Sequence, residues 1–215
     1  ARILSANCDL MVMRLKESGA AARFAGASLV PFVNAGDGAN EHPTQALLDL
    51  FTIEEELGKV DGLTVTMLGD LKYGRTVHSL ARLLASFEVR INYVSPEILP
   101  MPDEVVGELE HRGIPQARAA SLEEVLPETD VLYVTRVQKE RFQDLEQYEQ
   151  VKGAYVITPE TLQPAKDEMI VMHPFPRVGE ISVEVDSDPR AAYFRQMEYG
   201  LYVRMALLAM VLGKA

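Results

Sequence analysis

The sequence has very little cysteine. Cys8 is its only cysteine, and its 4 histidines are scattered along the 215 residues. An internal disulfide framework needs at least two cysteines, and scattered histidines do not indicate a structural zinc site. We therefore expect a reducing, cytoplasmic location and no bound metal.

Long apolar runs and excess positive charge are also absent. The longest apolar stretch runs from Met205 to Leu212, too short to span a bilayer, and no basic-then-apolar leader opens the sequence. The formal net charge is −11, and its long-range field would repel nucleic acid and anionic membranes. We expect neither as a partner. An anionic substrate would need a local cluster of cations.

Short apolar, β-branched runs alternate with amphipathic stretches along the chain. This alternation predicts an α/β fold with parallel sheets and flanking crossover helices. The predicted strands are Leu10–Met13, Val30–Val33, Leu63–Leu68, Val89–Val94, Val131–Thr135 and Met169–Met172. Helix starts are predicted at Pro43, at the Ser121/Glu124 capping box, at Thr158-Pro159 and at Asp188-Pro189.

The pattern also predicts two domains, with the boundary at residues 58–62. Residues 1–57 form the end of a first domain, which is incomplete because two strands do not make a stable sheet. Residues 58–188 form the second domain. The final helix is predicted from Pro189 to Leu212, about six turns, and we expect residues 189–215 to return to the first domain.

A loop rich in glycine and small polar residues, Asn34–Gln45, leads into the helix that starts at Pro43. Its backbone N–H groups can meet an anion at the positive end of that helix. His42 can polarise a carbonyl oxygen there, and Gln45 can bond an amide. The alternative is that these two side chains only cap the helix reciprocally.

The loop Gly69–Thr76 follows a predicted strand and nearly matches the phosphate loop G-x-x-x-x-G-K-[ST]. Arg75 replaces the lysine and Asp70 would put a carboxylate in the phosphate cradle, so nucleotide hydrolysis is weakly supported. Arg75 lies at a helix N-terminus, where the macrodipole disfavours a cation. Such a broken local rule indicates a functional role; the alternative is a simple ion pair with Asp70.

Two further loops follow predicted strands. Thr135–Arg141 carries three cations and an amide, and Arg136 and Gln138 would face the same side of an extended segment. Guanidinium groups suit bidentate recognition of carboxylates, although a solvated charge run is the alternative. In His173–Arg177, two prolines leave rigid carbonyls that can hold an N–H-rich ligand, or the loop is a simple strand exit. Arg14 ends the first strand.

Four blocks, in this order, resemble the signature blocks of the aspartate carbamoyltransferase family: Asn34–Thr52, Gly69–Leu80, Thr135–Arg141 and His173–Ile181. The segment from Glu180 to Arg195 resembles the carbamoyltransferase domain of CAD-type multifunctional pyrimidine proteins of eukaryotes and fungi. Ornithine carbamoyltransferase has different substrate loops, and a cysteine where Pro174 stands here. Ornithine is therefore the lesser candidate.

The resemblance implies carbamoyl transfer from carbamoyl phosphate to the amine of L-aspartate in pyrimidine synthesis, without metal or cofactor. It also implies a homotrimer, with other domains of a multifunctional pyrimidine protein as further partners. It assigns Arg14, His42 and Gln45 to catalysis and carbamoyl phosphate binding, with backbone carbonyls of Pro174 and Phe175, and Arg75, Arg136 and Gln138 to aspartate.

The sequence departs from the family in two ways. The family's Ser-Thr-Arg-Thr phosphate-binding block and its lysine loop have no counterpart here, and Leu15-Lys16 stands where the family usually has His-Pro. We therefore expect the chain by itself to bind substrates poorly and to turn over negligibly. A different class of function stays open: a truncated, non-catalytic carbamoyltransferase-like module with an interaction or regulatory role.

Overall fold

The computed structural model describes residues 1–38, 40–137, 142 and 145–214. The predicted α/β class is confirmed: two parallel sheets carry helices on their faces. In chain order the elements are α1 (Arg2–Ser5), β1 (Met11–Leu15), α2 (Ala20–Ala27), β2 (Phe32–Asp37), α3 (Pro43–Leu57), β3 (Thr64–Leu68), α4 (Arg75–Leu84), β4 (Arg90–Val94), α5 (Asp103–His111), β5 (Gln116–Arg118), β6 (Val131–Val134), α6 (Leu145–Val151), β7 (Ile170–Met172) and α7 (Tyr193–Val211).

The larger sheet has the strand order β5-β4-β3-β6-β7, and all its neighbours are parallel. The chain moves outward from β3 to β5, then returns to place β6 on the other side of β3. In open α/β sheets, a ligand binds at the carboxyl ends of the strands where the order reverses in this way. The loops after β3 and β6 therefore lie where a binding site is expected.

The strands of this sheet are covered on both faces. Every residue of β6 is buried, as expected for a parallel strand between two layers of helices. One apolar cluster includes Val65, Leu80 and Ile91, and a second on the other face includes Leu68, Leu132 and Tyr193. This two-sided core fixes the strand ends from which the site loops start.

The smaller sheet contains only β1 and β2, paired in parallel from Met11 opposite Phe32. Gly58 ends α3 with φ 68°, a left-handed conformation that glycine adopts without strain. The two sheets thus lie on either side of the predicted boundary at 58–62. The assignment of 1–57 with 189–215, and of 58–188, to separate domains stays a prediction.

All six predicted strands are present, with ends displaced by at most four residues. The short strand β5 and the helices α2, α5 and α6 were not predicted. Two predicted helix starts are wrong. After Ser121, Glu124 accepts the N–H of Ala120, but only a 3₁₀ turn at Leu126–Glu128 follows, because Pro127 cannot continue an α-helix. Thr158-Pro159 opens a series of turns.

The last helix starts at Tyr193, later than the predicted Pro189. Just before it, Ala191 forms an isolated parallel bridge with Val171, which donates its N–H to the carbonyl of Arg190 at 2.8 Å and accepts from the N–H of Ala192 at 2.9 Å. This bridge to β7 competes with helix formation. In the part of the chain that the structure describes, neither α7 nor any other helix is long and apolar enough to cross a membrane.

Candidate functional site

A cavity of about 200 Å³ opens between the first turns of α3 and α4 and the loops that follow β6 and β7. Its lining residues are Arg14, His42, Gln45, Gly74, Arg75, Thr76, Thr135, Arg136, His173, Pro174, Phe175 and Pro176. The structure therefore brings together seven of the eight site residues predicted from sequence. The eighth, Gln138, lies outside the described residues.

Three guanidinium groups surround this cavity, those of Arg14, Arg75 and Arg136. They come from the end of β1, the start of α4 and the loop after β6, so no short segment contains the whole cluster. In a chain of net charge −11, such a cluster provides the local cationic site that an anionic ligand needs. Over the described ranges, no group of three His, Cys, Asp or Glu side chains could hold a metal ion.

His42 occupies the N-cap position of α3, but its side chain makes no capping hydrogen bond. Reciprocal capping by His42 and Gln45 is therefore wrong. The His42 backbone N–H donates to Ser79 Oγ at 2.8 Å, which fixes its position against α4. The ring Nδ1 is buried and has no hydrogen-bond partner among the described residues. The His42 side chain lines the cavity.

The electrostatic surroundings keep the His42 imidazole neutral. Burial is the largest cause, and the positive charges of Arg75, Arg204 and Arg14 add to it, which lowers the pKa of His42 to about 4. Near neutral pH the ring therefore carries one N–H and one bare nitrogen. A neutral imidazole of this kind can donate a hydrogen bond to a carbonyl oxygen without adding a charge.

Gln45 lies one turn into α3 and is buried. Its Nε2 donates to Asp49 Oδ1 at 2.8 Å, one helical turn further on. The Asp49 carboxyl also accepts from Tyr133 Oη at 2.8 Å and from Gln196 Nε2 at 2.6 Å. Burial raises the pKa of Asp49 to about 7, against these three hydrogen bonds. The sequence analysis missed Asp49; the available signal was a carboxyl at i+4 from Gln45, facing the core.

Arg75 begins α4, as predicted. Its Nη1 donates to the carbonyl oxygen of Gly38 at 3.0 Å. The guanidinium also lies over Gly36, where a Cβ would come within 2.8 Å of Nη1, so only glycine leaves room for it. The glycine-rich loop predicted to meet an anion thus also cradles a cation that lines the cavity.

Arg136 follows a tightly fixed residue. Thr135 donates its N–H to the carbonyl of Leu68 at 2.8 Å, and its hydroxyl bonds the same oxygen at 3.1 Å. Gly69 adopts φ 113°, and a Cβ there would lie 2.2 Å from the Thr135 carbonyl oxygen. The ends of β3 and β6 are therefore in direct contact. A second cavity of about 380 Å³ shares Thr135 and Arg136 with the first.

The loop after β7 is held by His173, a buried residue that the sequence analysis did not assign to the site. His173 Nδ1 accepts the N–H of Phe175 at 2.9 Å, so its Nε2 carries the proton and donates to Glu180 at 2.7 Å. Phe175 has φ 51°, and its ring packs on His173 and Tyr193. These contacts fix the backbone carbonyls of Pro174 and Phe175 at the cavity edge.

Two family profiles match the chain. Residues 61–211 match the profile described as "Aspartate/ornithine carbamoyltransferase, Asp/Orn binding domain". Residues 1–55 match "Aspartate/ornithine carbamoyltransferase, carbamoyl-P binding domain". Together the two matches cover both sheets and nearly all of α7.

Individual relatives agree with these profiles. The chain is 62% identical over 210 residues to "Multifunctional protein pyr1-3" of Dictyostelium discoideum, covering 98% of this chain and 9% of that protein. It is 54% identical over 211 residues to the "Aspartate carbamoyltransferase catalytic subunit" of Archaeoglobus fulgidus, covering 98% of this chain and 69% of that one. A crystal structure of aspartate transcarbamoylase from Trypanosoma cruzi, in complex with carbamoyl aspartate and phosphate, superposes with a TM-score of 0.87 at 47% identity, covering 96% of this chain and 66% of that one.

Proposed function

Because this chain belongs to the aspartate/ornithine carbamoyltransferase family, we propose that its cavity transfers a carbamoyl group from carbamoyl phosphate to L-aspartate. The observation that carries the proposal is the convergence of three guanidinium groups, a neutral histidine and a fixed carbonyl loop on one cavity. The products are N-carbamoyl-L-aspartate and phosphate. This reaction belongs to de novo pyrimidine synthesis.

In the proposed reaction, the uncharged amine of aspartate attacks the carbamoyl carbon. A C–N bond forms, the carbonyl oxygen becomes an oxyanion, and the attacking nitrogen, now positively charged, passes its extra proton to an oxygen of the departing phosphate. Collapse of this intermediate breaks the carbon–oxygen bond to phosphate, which leaves with the bonding pair. The rate then depends on positioning the two substrates and on stabilising negative charge as it develops.

The carbamoyl phosphate groups have matching partners in the cavity. We assign Arg14 to the phosphate and carbonyl oxygens and the neutral His42 ring to the carbonyl oxygen. Gln45 has its Nε2 turned to Asp49, which leaves its amide oxygen to accept from the carbamoyl NH₂. The backbone carbonyls of Pro174 and Phe175 accept from the reacting nitrogens.

Aspartate would be bound by Arg75 at its α-carboxylate and by Arg136 at its β-carboxylate, with Gln138 as a third partner outside the described residues. Two guanidinium groups favour a dicarboxylate over ornithine, because the side-chain ammonium of ornithine would be repelled by them. Ornithine therefore stays the second candidate substrate.

The remaining assignments are proposals at the level of the family. We propose a homotrimer in the cytoplasm, with other domains of a multifunctional pyrimidine protein as further partners. The very low share of the Dictyostelium protein that this chain covers supports the last of these. We also retain the two-domain division, supported by the positions of the two sheets. A non-catalytic module remains the alternative.

The test is formation of N-carbamoyl-L-aspartate by the complete protein that contains this chain. Arg136→Ala removes a charged hydrogen-bonding group, which is worth about 1.5–3 kcal/mol. We therefore expect the KM for aspartate to rise by roughly 10- to 150-fold, by tenfold per 1.4 kcal/mol. The KM for carbamoyl phosphate should change much less.

Arg118→Ala is the matched control, since Arg118 lies on the edge strand β5 and pairs with Asp103. It should leave both KM values unchanged. Equal effects of Arg136→Ala on the two substrates would contradict the assignment of Arg136. Product from ornithine alone would select the second candidate, and no product from either amine would select the non-catalytic module.

A further inference from the structure

Asp49 lies near the middle of α3 with its side chain completely buried. Its carboxyl accepts three side-chain hydrogen bonds from three elements: Gln45 on α3, Tyr133 on β6 and Gln196 on α7. The donor–acceptor distances are 2.8, 2.8 and 2.6 Å. No side chain of the proposed reaction machinery has so many partners in separate elements in the part of the chain that the structure describes.

Each of these three donors either lines the cavity or is connected to a residue that does. Gln45 lines it directly. Gln196 accepts the backbone N–H of His173 at 2.9 Å through its Oε1, and His173 begins the loop that presents the Pro174 and Phe175 carbonyls. The third donor, Tyr133, lies on β6, and the chain continues from the end of that strand into Thr135 and Arg136, which line the cavity.

From these contacts we propose that Asp49 is a positioning residue, which holds the Gln45 amide and the carbonyl loop after β7 in fixed register with β6. This inference rests on the proposed carbamoyl transfer, since it assigns Asp49 to the alignment of that reaction's two substrates. Asp49 itself does not line the cavity and contacts no reacting atom.

The orientation of Gln45 follows from hydrogen-bonding chemistry. A carboxylate oxygen only accepts, so Asp49 Oδ1 selects the NH₂ end of the Gln45 amide. The Gln45 oxygen is then the end left for a donor such as the carbamoyl NH₂. Gln196 is oriented in the same way, with its NH₂ on Asp49 and its oxygen on the His173 N–H. One carboxyl group therefore fixes the orientation of two side-chain amides, those of Gln45 and Gln196.

Core stability alone does not account for a carboxyl at this position. A buried carboxyl is costly to ionise, and well-packed apolar residues in place of buried ionic groups are often neutral or stabilising. Apolar residues are accommodated in the same part of α3, where Leu48 and Ile53 are both fully buried. What an apolar residue cannot supply there is a shared acceptor for three donors.

Asp49→Leu is the decisive variant, measured in the complete protein. It keeps the branching and the number of side-chain heavy atoms but removes every acceptor, so Gln45 and Gln196 lose their fixed orientations. Small misplacements of reacting groups can cost about 100-fold in rate. We expect kcat/KM for carbamoyl phosphate to fall roughly tenfold to 100-fold, by the same reasoning.

Asp49→Asn should rescue the activity. The asparagine oxygen can accept from Gln45 and Gln196, while its NH₂ donates to the Tyr133 oxygen. Two controls separate positioning from stability. Tyr133→Phe removes one donor but keeps both amides on Asp49, so kcat/KM should fall less than in Asp49→Leu.

Thr52→Val is the second control, because among the described residues the buried Thr52 hydroxyl donates only to the Leu48 carbonyl, within α3. This substitution should lower stability without changing kcat/KM. A loss of kcat/KM in Thr52→Val equal to that in Asp49→Leu would overturn the inference. It would show that any destabilising change in α3 lowers kcat/KM. Unchanged kcat/KM in Asp49→Leu would overturn it as well.

Hydrogen exchange at the His173 backbone amide gives a readout that does not depend on activity. Exchange should become faster in Asp49→Leu and stay slow in Asp49→Asn. If Asp49→Leu does not fold, Gln196→Met can be used in its place. It removes the Gln196 amide that connects Asp49 to the His173 N–H, and it should also speed exchange at His173. Unchanged exchange at the His173 amide in these variants would overturn the inference. If the unmodified protein forms no carbamoyl aspartate, the proposed function is overturned. Hydrogen exchange at His173 would then still decide whether Asp49 positions the loop.

Discussion

The ionisation of His42 gives a quantitative test of the site's electrostatics. Burial and three nearby guanidinium groups lower its pKa from the usual 6.5 to about 4. At 1.36 kcal/mol for each unit of pKa, this difference corresponds to about 3 kcal/mol of interaction against the imidazolium form. The neutral ring is the form that the proposed hydrogen bond to the carbonyl oxygen uses throughout the physiological range.

An NMR titration of the imidazole C–H signals measures this pKa, with His42→Gln used to identify the His42 signals. We expect a midpoint about 4 in the unmodified protein. Arg75→Gln should raise the pKa of His42 only part of the way towards 6.5, because burial is the larger cause. Arg118→Gln should leave it unchanged. A His42 midpoint at or above 6.5 would refute the reasoning.

The same pKa difference must make the free energy of unfolding depend on pH. Between pH 6.5 and about 4 the unfolded chain binds a proton at His42 and the folded chain does not, so the free energy of unfolding falls as the pH falls. The loss is complete below the folded pKa and reaches at most about 3 kcal/mol. Urea unfolding at several pH values should show this loss in the unmodified protein and its absence in His42→Gln.

Asp49 acts in the opposite direction, which is why the comparison with His42→Gln is needed. Its folded pKa is raised from 3.8 to about 7, so over this range the folded chain binds more protons than the unfolded chain. Its contribution therefore makes the protein more stable as the pH falls from 7 towards 4. Both proteins contain Asp49, so its contribution cancels when the free energy of unfolding of His42→Gln is subtracted from that of the unmodified protein.

Three further substitutions test the packing and one ion pair of the fold. Gly69→Ala should lower the free energy of unfolding by about 2 kcal/mol or more, because its Cβ would meet the Thr135 carbonyl at 2.2 Å. Gly153→Ala has a positive φ of 72° but no neighbour within 4 Å, so its loss should be smaller, about 1 kcal/mol. Arg195→Ala removes the half-exposed pair with Glu56 that joins α7 to α3, and it should cost at most about 1 kcal/mol, less at high salt. Urea unfolding checks all three, and a larger loss in Gly153→Ala than in Gly69→Ala would contradict the packing argument.

Local chemistry at strand ends was sufficient to predict most of the site. His42, Arg75 and Arg136 each follow a recognisable apolar strand, and parallel strands bring such loops to one edge of a sheet. Asp49 could not be predicted in the same way, because two of its three partners lie 84 and 147 residues further along the chain. Its hydrogen bonds exist only after α3, β6 and α7 have packed together.

The errors in the fold prediction have the same origin. The start of α7 is displaced because residues 190–192 pair with Val171, a tertiary contact that overrides the Asp188-Pro189 signal. Strand β5 has three residues, two of them exposed, so it lacks the apolar pattern that identifies a strand. Local signals failed where a distant segment decides the conformation, or where an element lies at an edge.

A chain of polar contacts joins α4 to the loop before α3 beside the cavity. Ser79 Oγ accepts the His42 N–H at 2.8 Å and donates to Glu41. Glu41 also accepts from Arg82 at 2.6 Å, and Arg82 is held by Glu108 of α5. Arg75, on the same helix as Ser79 and Arg82, reaches back to the Gly38 carbonyl. His42 and Arg75, which we propose bind carbamoyl phosphate and aspartate respectively, are therefore both held by α4, so a displacement of α4 must move both proposed subsites together.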